Sequence, residues 1–492
     1  MVALALYRLF LSPLAHFPGP KLAALTGWYE TYYEILNGYG GQFTFRIADM
    51  HRQHGPIVRI NPWELHIDDP EFYDTIYTLR EAFDKPVHLK WRFGSPSGIF
   101  STPEHRLHRL RRISQEPFFA KRRINQLVPE IQAIADRMCR RLQESFKRED
   151  KPVNLSNMFT SYIADVTTMY SFNRNFDYLG DKNFESPFVQ AIKGFKDIAH
   201  PCTQFPWLGW FMQQLPEAVV RYLQPPMLSV QDFQRSMRLL IRDAQNDVRN
   251  GSNFDANRTV MHGILTSNLP EEELSIDKLQ DHAAGLIGAG IASPQLTLTT
   301  ACYHIISDHA IRAALRKELE EAMPDPDSPL PLAQLEKLPY LGACIEEALR
   351  LAVCQMARSP RIADHPILYT TSDRTYKIPS GTPISSATWH MHHNETLFPS
   401  SFTFQPSRWL SDPRTTSGRS LRKYMVAFGK GTRNCIGMNL AKAEILIGLS
   451  TLMRSFDFHL FQTSYEKDVR VVRDNMAPDV RPDSVGIRAM VK

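Results

Sequence analysis

Phe428-Gly429-Lys430-Gly431-Thr432-Arg433-Asn434-Cys435-Ile436-Gly437, near the C-terminal end, decides how the whole chain is read. One cysteine stands in a glycine-punctuated loop, with an arginine two residues before it. A lone cysteine ordinarily packs as a small hydrophobe, but this setting argues for another role. Gly429, Gly431 and Gly437 let the backbone turn tightly and approach a flat ligand closely. Met438 to Leu449 follows with helical periodicity, which sets Cys435 at a helix N-terminus. Free N–H groups and the helix dipole there favour a thiolate.

A thiolate is what a haem iron takes as its axial ligand where an O–O bond is to be cleaved. Such a site needs an opposite wall. Leu274 to Asp308 reads as one very long helix begun by the cap candidate Ser275. Its middle, Gly285-Leu286-Ile287-Gly288-Ala289-Gly290-Ile291-Ala292-Ser293-Pro294, holds residues that weaken helices. Pro294 has no N–H, so the carbonyl of Gly290 loses its partner and a kink with a free C=O is expected there. Small side chains at 288–290 let a flat ligand approach, although a kink can also serve packing alone.

Three charged groups need partners. Glu347 and Arg350 lie i,i+3 on a helical stretch amid Leu349, Leu351 and Val353. An exposed pair of this kind is worth roughly 0–1 kcal/mol, whereas a desolvated one needs further hydrogen bonds. Arg408, in Phe404-Gln405-Pro406-Ser407-Arg408-Trp409, is a candidate third member, and Arg358 and Arg361 offer more cations. Between 104 and 123 the chain is strongly basic, with His108 and Arg112 on one helix face, able to hold a pair of carboxylates. A solvated basic face is the plain alternative. Around Phe205-Pro206-Trp207-Leu208-Gly209-Trp210-Phe211 the chain is unusually aromatic, and Pro201, Pro206, Pro225 and Pro226 cut it into short pieces. That pattern suits a lid over an apolar pocket or a membrane-dipping loop as well as core.

The 492 residues are 43% hydrophobic and 22% charged, a globular composition with material for a large core. The net charge of +5 is too mild for a nucleic-acid partner. Six scattered cysteines with no C-x-x-C pair suggest a reducing compartment and no disulfide framework. Residues 1–16 form an apolar segment interrupted by Arg8 and Pro13. A spanning helix needs about 20 apolar residues, so the segment is expected to lie in the membrane interface or to be the remnant of a longer anchor, unless it packs on the protein itself. Pro18-Gly19-Pro20 is a rigid turn. Residues 26–54 read as a helix, 57–67 as a hairpin, about 102 to 350 as mostly helical, and 366–389 as short strands. The expected fold is mainly α with a small β lobe, and 17–492 forms one catalytic domain.

Together these residues resemble a cytochrome P450. Phe428, Gly431, Arg433, Cys435 and Gly437 match the family pattern F-x-x-G-x-R-x-C-x-G at every defined position. Glu347 and Arg350 match E-x-x-R, Arg408 follows in F-x-P-x-R-W, and Pro18-Gly19-Pro20 resembles the hinge after a membrane anchor. The order covers about residues 15 to 465, and 16–70 with 104–123 look most like membrane-associated fungal members. The resemblance implies haem b held between the long kinked helix and the cysteine loop with its following helix. It implies Cys435 as axial thiolate, with Phe428 in the haem loop. It implies Arg433, Arg112, His108 (where the family has Trp) and Arg361 as haem-propionate contacts. Glu347, Arg350 and Arg408 would form a buried structural brace.

The same resemblance implies a monooxygenase that hydroxylates or epoxidises a lipophilic small molecule of secondary metabolism. It would use O2 and electrons from an NADPH-cytochrome reductase-type donor, on the endoplasmic reticulum membrane with the catalytic domain facing the cytosol. One departure stands out. The family's A-G-x-[DE]-T-T becomes Ala289-Gly290-Ile291-Ala292-Ser293-Pro294, so the acid that shuttles protons is absent. Ser293 keeps a hydroxyl that donates and accepts, which leaves Ser293 and the Gly290 carbonyl as the catalytic candidates on this wall. The alternative is atypical chemistry in the same pocket: an isomerase, a dehydratase or a peroxide user.

Overall fold

The structure is a computed structural model that describes residues 2–215, 225–250, 259–326 and 328–492. Its main helices are α1 (Phe43–His54), α2 (His105–Ile113), α3 (Lys121–Arg141), α4 (Leu155–Phe172), α5 (Pro187–Gln204), α6 (Pro206–Gln214), α7 (Pro225–Arg249), α8 (Ile276–Ser307), α9 (His309–Ala322), α10 (Pro339–Ala352) and α11 (Met438–Ser455). The centre is α8, which packs on α4, α7, α10 and α11. Ile287, Ile291 and Leu298 of α8 are buried with Ile163 and Val166 of α4, Ala348 of α10 and Leu449 of α11. Each Ile, Val or Leu side chain among them contributes roughly 1.5–3 kcal/mol on burial, which fixes the long helix between two layers.

The β lobe is a four-stranded sheet in the order β1 (Ile57–Arg59), β2 (Leu65–Ile67), β7 (Pro383–Ser385), β4 (Arg361–Ile362). β1 and β2 are the expected hairpin, with Ile57 opposite Ile67. β2 runs parallel to β7, with Leu65 opposite Ile384, and β4 pairs with β7 in the antiparallel sense. The expected short strands include a second hairpin, β5 (Ile367–Thr370) with β6 (Thr375–Ile378). A third sheet joins β3 (Val153–Asn154), β11 (Arg488–Val491) and β8 (Phe458–Leu460), and β9 (Arg473–Asn475) pairs with β10 (Ala477–Asp479). Ile57, Leu65, Ile67, Tyr77, Ile384 and Trp409 form the lobe's own buried core.

Several expectations are corrected. Residues 26–54 are not one helix. The chain leaves helix after Leu36 and resumes at Phe43. Gly38, Gly40 and Gly41 between them have φ of 58°, 73° and 61°. A Cβ on Gly41 would lie 1.9 Å from the carbonyl oxygen of Asp474, so the break admits the β9–β10 hairpin. The region 185–235 is less broken than its prolines suggest. α5 runs 18 residues with Pro201 inside it, and Pro187, Pro206 and Pro225 each sit in the first turn of a helix, where no N–H is missed. Residues 216–224 of that region lie outside the described residues. The long helix begins as expected after Ser275, but the Ser275 side chain makes no capping bond. Pro294 lies inside α8 without ending it.

Among the described residues no helix is long and apolar enough to cross a membrane. The N-terminal segment exposes Val2, Leu4, Leu6, Phe10 and Leu11, then buries Leu14 and Phe17. It is tied down by Arg8, which donates to the Leu25 carbonyl at 2.8 Å and accepts from Arg59 at its own carbonyl, also at 2.8 Å.

Candidate active site

The cysteine loop is held by its backbone. Gly431 has φ 75°, and a Cβ there would lie 2.6 Å from the carbonyls of Tyr77 and Thr78. The N–H of Thr432 donates to Thr78 O at 3.1 Å, and that of Cys435 donates to Phe428 O at 2.8 Å. The Phe428 ring packs against the main core, with the Lys442 ammonium 5.5 Å from its centroid. Cys435 keeps solvent-accessible surface although protein atoms surround it closely. Burial pushes its thiol above the ordinary range, and the Gly437 N–H and the Arg112 charge oppose that. A bound metal cation would deprotonate the thiol outright.

The brace is complete. Arg350 uses all its N–H groups: two bonds of 2.8 Å to Glu347, and bonds to the carbonyls of His392, Ser401 and Thr403 at 2.8, 2.5 and 3.2 Å. Both residues are fully buried. Arg408 joins Glu347 at 3.4 Å, as expected. Trp409 was missed: its ring N–H donates to Glu347 at 2.8 Å. Arg358 goes elsewhere, binding Glu30 and Glu64 at 2.8 Å each.

The cations near the loop are not matched in this way. Arg433 donates to the Thr102 and Pro103 carbonyls at 2.7 and 2.6 Å, and its Nε is buried without a partner. Among the described residues the Arg361 side chain bonds only to Ser359 and the Pro360 carbonyl, and it stacks 5.0 Å over the Tyr77 ring. Among the described residues no carboxylate lies within 4.0 Å of Arg433 or Arg361. Burial and Arg361 push Arg433 down to about 9. His108 is buried, its Nδ1 has no partner, and burial with the charges of Arg433, Lys85 and Arg112 pushes it down to about 2. Arg112 ties α2 to the loop, donating to Asn434 O at 2.6 Å and Asn434 Oδ1 at 2.9 Å, with Glu116 at 2.6 Å on its outer side. Buried cations without anions are costly. One soft thiolate donor beside Arg433 and Arg361, cations with no carboxylate within 4.0 Å among the described residues, fits a haem, whose propionates are anions.

The opposite wall is α8. Gly285 and Ala289 are exposed within this central helix, and Gly288 has open space where a Cβ would stand. Gly290 differs from expectation: a Cβ there would lie 3.0 Å from Thr167 of α4, so its smallness admits a neighbouring helix and not a flat ligand. Ser293 has two protic groups beside it: the Thr297 hydroxyl donates to Ser293 O at 3.0 Å, and Cys354 Sγ lies 3.4 Å from that oxygen and 3.6 Å from Thr297 Oγ1. Ala292 brings no polar group. Phe93, Ala199, Ala357 and Met476 form a separate apolar cluster that joins the loop after residue 91, α5, the loop after α10 and the β9–β10 turn.

Lys85, buried beside these groups, had no signal in the sequence, because a single lysine before Pro86 reads as surface. Cys354 and Asn434 were missed for the same reason: neither residue type announces its partner until the fold supplies it.

Known proteins place this arrangement. Residues 28–472 match the family model described as Cytochrome P450. The chain belongs to the cytochrome P450 family, whose members carry haem iron. It is 39% identical over 494 residues to the cytochrome P450 monooxygenase orf4 of Eupenicillium brefeldianum, covering 99% of this chain and 95% of that one. The cytochrome P450 monooxygenase MO6277 of Ascocoryne sarcoides is 39% identical over 500 residues, 99% and 96% of the two chains. The tryptophan 6-hydroxylase fscE of Fusarium equiseti is 36% identical over 491 residues, 100% and 94%. The protein is accordingly an oxidoreductase, a haem-thiolate monooxygenase that oxidises a small molecule with O2 and electrons from a redox partner.

Proposed function

We propose that this P450 hydroxylates or epoxidises a lipophilic secondary metabolite, with haem b held by Cys435 and electrons from an NADPH-cytochrome reductase-type donor. The observation that carries the site assignment is the pairing of one accessible thiol under the Gly437 N–H with buried cations that lack carboxylates. When bound, the haem supplies O2 activation and transfer of one oxygen atom to substrate. Cys435 Sγ would hold the iron. Arg433, Arg361, Arg112 and His108 would hold the propionates, and the buried brace of Glu347, Arg350 and Arg408 would keep the loop's surroundings rigid. Phe428, packed against the main core, would shield the thiolate from water.

On the other side, the Ser293 hydroxyl passes protons inward, and the Gly290 carbonyl, left without an N–H by Pro294, holds the water that feeds it. Ala289 and the cluster of Phe93, Ala199, Ala357 and Met476 suit an apolar substrate. The isomerase, dehydratase or peroxide reading is not favoured, since the relatives are named monooxygenases and hydroxylases.

The exposed apolar residues support a membrane surface. Leu4, Phe10, Leu11, Leu22 and Trp28 near the N-terminus are exposed, as are Trp207, Trp210 and Phe211 of α6. Trp28 meets Phe205 at 5.9 Å between centroids, and Thr31 donates to Gln204 at 2.8 Å, so the two regions adjoin. This fits residues 1–16 lying in the interface of the endoplasmic reticulum membrane, with residues 17–492 as one catalytic domain on the cytosolic side. The test is a product screen of purified protein with a reductase, NADPH and candidate lipophilic metabolites. The account expects an oxygenated product that requires both O2 and reductase. A product formed without either contradicts it.

A further inference from the structure

Arg92 is buried, and most of its donors are idle. It sits on a segment that joins α5 and α6 to α8: Trp91 O lies 3.2 Å from where a Cβ on Gly209 of α6 would stand, and the Ser97 N–H donates to Asp281 of α8 at 2.8 Å. The residue is 5% exposed. Of its five N–H donors one is engaged. Nε donates at 2.8 Å to the hydroxyl of Thr203 on the last turn of α5, and that hydroxyl donates to the Ala199 carbonyl at 2.7 Å. Nη1 and Nη2 have no partner among the described residues, and neither is sealed off as the unpaired Nε of Arg433 is. Among the described residues no carboxylate lies within 4.0 Å of Arg92. The acids around it are committed elsewhere. Glu30 and Glu64 bind Arg358, and Asp474 accepts from the Thr44 hydroxyl at 2.6 Å and the Met476 N–H at 2.9 Å. Glu34, raised to about 8, is uncharged at neutral pH. Burial and the Arg358 charge push Arg92 down to about 10, so it stays a cation there. Arg358 shows what a structural arginine does in this region: its donors end on two carboxylates.

The open fork has apolar company. Phe93, the next residue, packs with Ala199, Ala357 and Met476. Cys354, three residues before Ala357, lies 3.4 Å from Ser293 O of α8, and three residues span at most about 11 Å. The cluster is therefore within reach of the wall that carries Gly288 and Ala289. We propose that Arg92 determines specificity by holding the carboxylate of an otherwise apolar substrate on its two free Nη groups. The proposal rests on the monooxygenase reading above and narrows its substrate to lipophilic acids. A guanidinium meets a carboxylate through two parallel charge-assisted bonds, while the apolar body lies against Phe93, Ala199, Ala357 and Met476. A neutral analogue leaves the buried fork unpaired, which costs affinity.

The test uses the holoprotein and its R92L, R92Q and R92K variants. The probes are lauric, hydrocinnamic and naphthylacetic acid, each beside its methyl ester, and the readout is the Kd by titration calorimetry. In the parent at least one acid should bind about tenfold tighter than its ester, the gain from a charge-assisted fork. R92L and R92Q should bring acid and ester within about threefold of each other, by weakening the acid and leaving the ester unchanged. R92K, which keeps the charge and loses the fork, should retain part of the preference. The ratio of acid to ester separates this role from a structural one. An arginine that only ties its segment to Thr203 moves both affinities together. A parent that prefers no acid over its ester overturns the proposal, as does an R92Q variant that keeps the preference or an R92K variant as indifferent as R92Q. If R92L does not fold, R92Q and R92K decide by the same ratio. Failure of the underlying reading looks different: the parent protein itself then lacks the reduced–CO band of a thiolate-ligated haem.

Discussion

Two sets of buried charge lie on the flanks of the cysteine loop, and they are built in opposite ways. In the brace every donor of Arg350 is used, and Glu347 accepts from Arg350, Arg408, Trp409 and the Gln405 N–H. Beside the loop, Arg433 keeps a buried Nε without a partner, Arg361 reaches only oxygens of Ser359 and Pro360, and His108 Nδ1 bonds to nothing. A charge set that closes on itself belongs to the fold. A set left open asks for a ligand of opposite sign, and here the accessible thiol of Cys435 points to what that ligand is. Composition does not distinguish the two sets, since both are arginine-rich and both lie near apolar residues. Only the count of satisfied donors separates them.

The difference can be broken from either side. Glu347→Ala leaves Arg350 as a buried charge without its partner, which costs about 3–5 kcal/mol. The expected outcome is little or no folded haem protein on expression, read by absorbance and by thermal melting. A variant that folds and retains haem normally would show that the brace is not closed. Arg433→Ala should instead leave the fold standing and weaken the cofactor. Haem loss to apomyoglobin is expected to quicken by roughly tenfold or more, with the protein's helical circular dichroism unchanged. If Arg433→Ala unfolds the chain as Glu347→Ala does, the two sets do not differ in kind.

Smaller effects sharpen the picture on the other wall. Ser293→Ala should raise peroxide released per electron a few-fold and lower product correspondingly, if its hydroxyl passes protons. Unchanged coupling assigns that task elsewhere, with the Thr297 hydroxyl at 3.0 Å and the Cys354 thiol at 3.4 Å from Ser293 O the neighbouring protic groups. The smallest predicted change concerns Glu34, which is buried and faces Glu30, Arg358, Arg92 and His200. Burial and Glu30 raise its carboxyl from 4.5 to about 8. The folded chain thus holds a proton that the unfolded chain releases, so this stabilisation is full below about 4.5 and is lost as pH rises through about 8. Glu34→Gln should flatten the fall in melting temperature between pH 6 and 8.5, by about a few degrees. An equal slope in both proteins would contradict the raised carboxyl.

Much of the site was legible because its chemistry is local. The loop around Cys435, the i,i+3 pair Glu347–Arg350 and the glycine-rich centre of α8 each carry their geometry in their spacing. The β1–β2 hairpin and the strands near 370 were legible from alternation for the same reason. What failed was decided by distant contacts. The break at 37–42 exists because the β9–β10 hairpin enters there, more than 430 residues on. Gly290 reads as room for a ligand until Thr167 occupies that room. The prolines of 185–235 read as breakers until their position in first turns is known. At Cys435 the Gly437 N–H acts in the direction the sequence suggests, while burial acts against it.

The account turns on Cys435 as the thiolate ligand of a haem. The most direct measurement is the reduced–CO spectrum of the purified protein beside that of Cys435→Ala. The parent should show the band of a thiolate-ligated haem and the variant should lack it entirely. A parent without that band, or a Cys435→Ala variant that keeps it, would contradict the account.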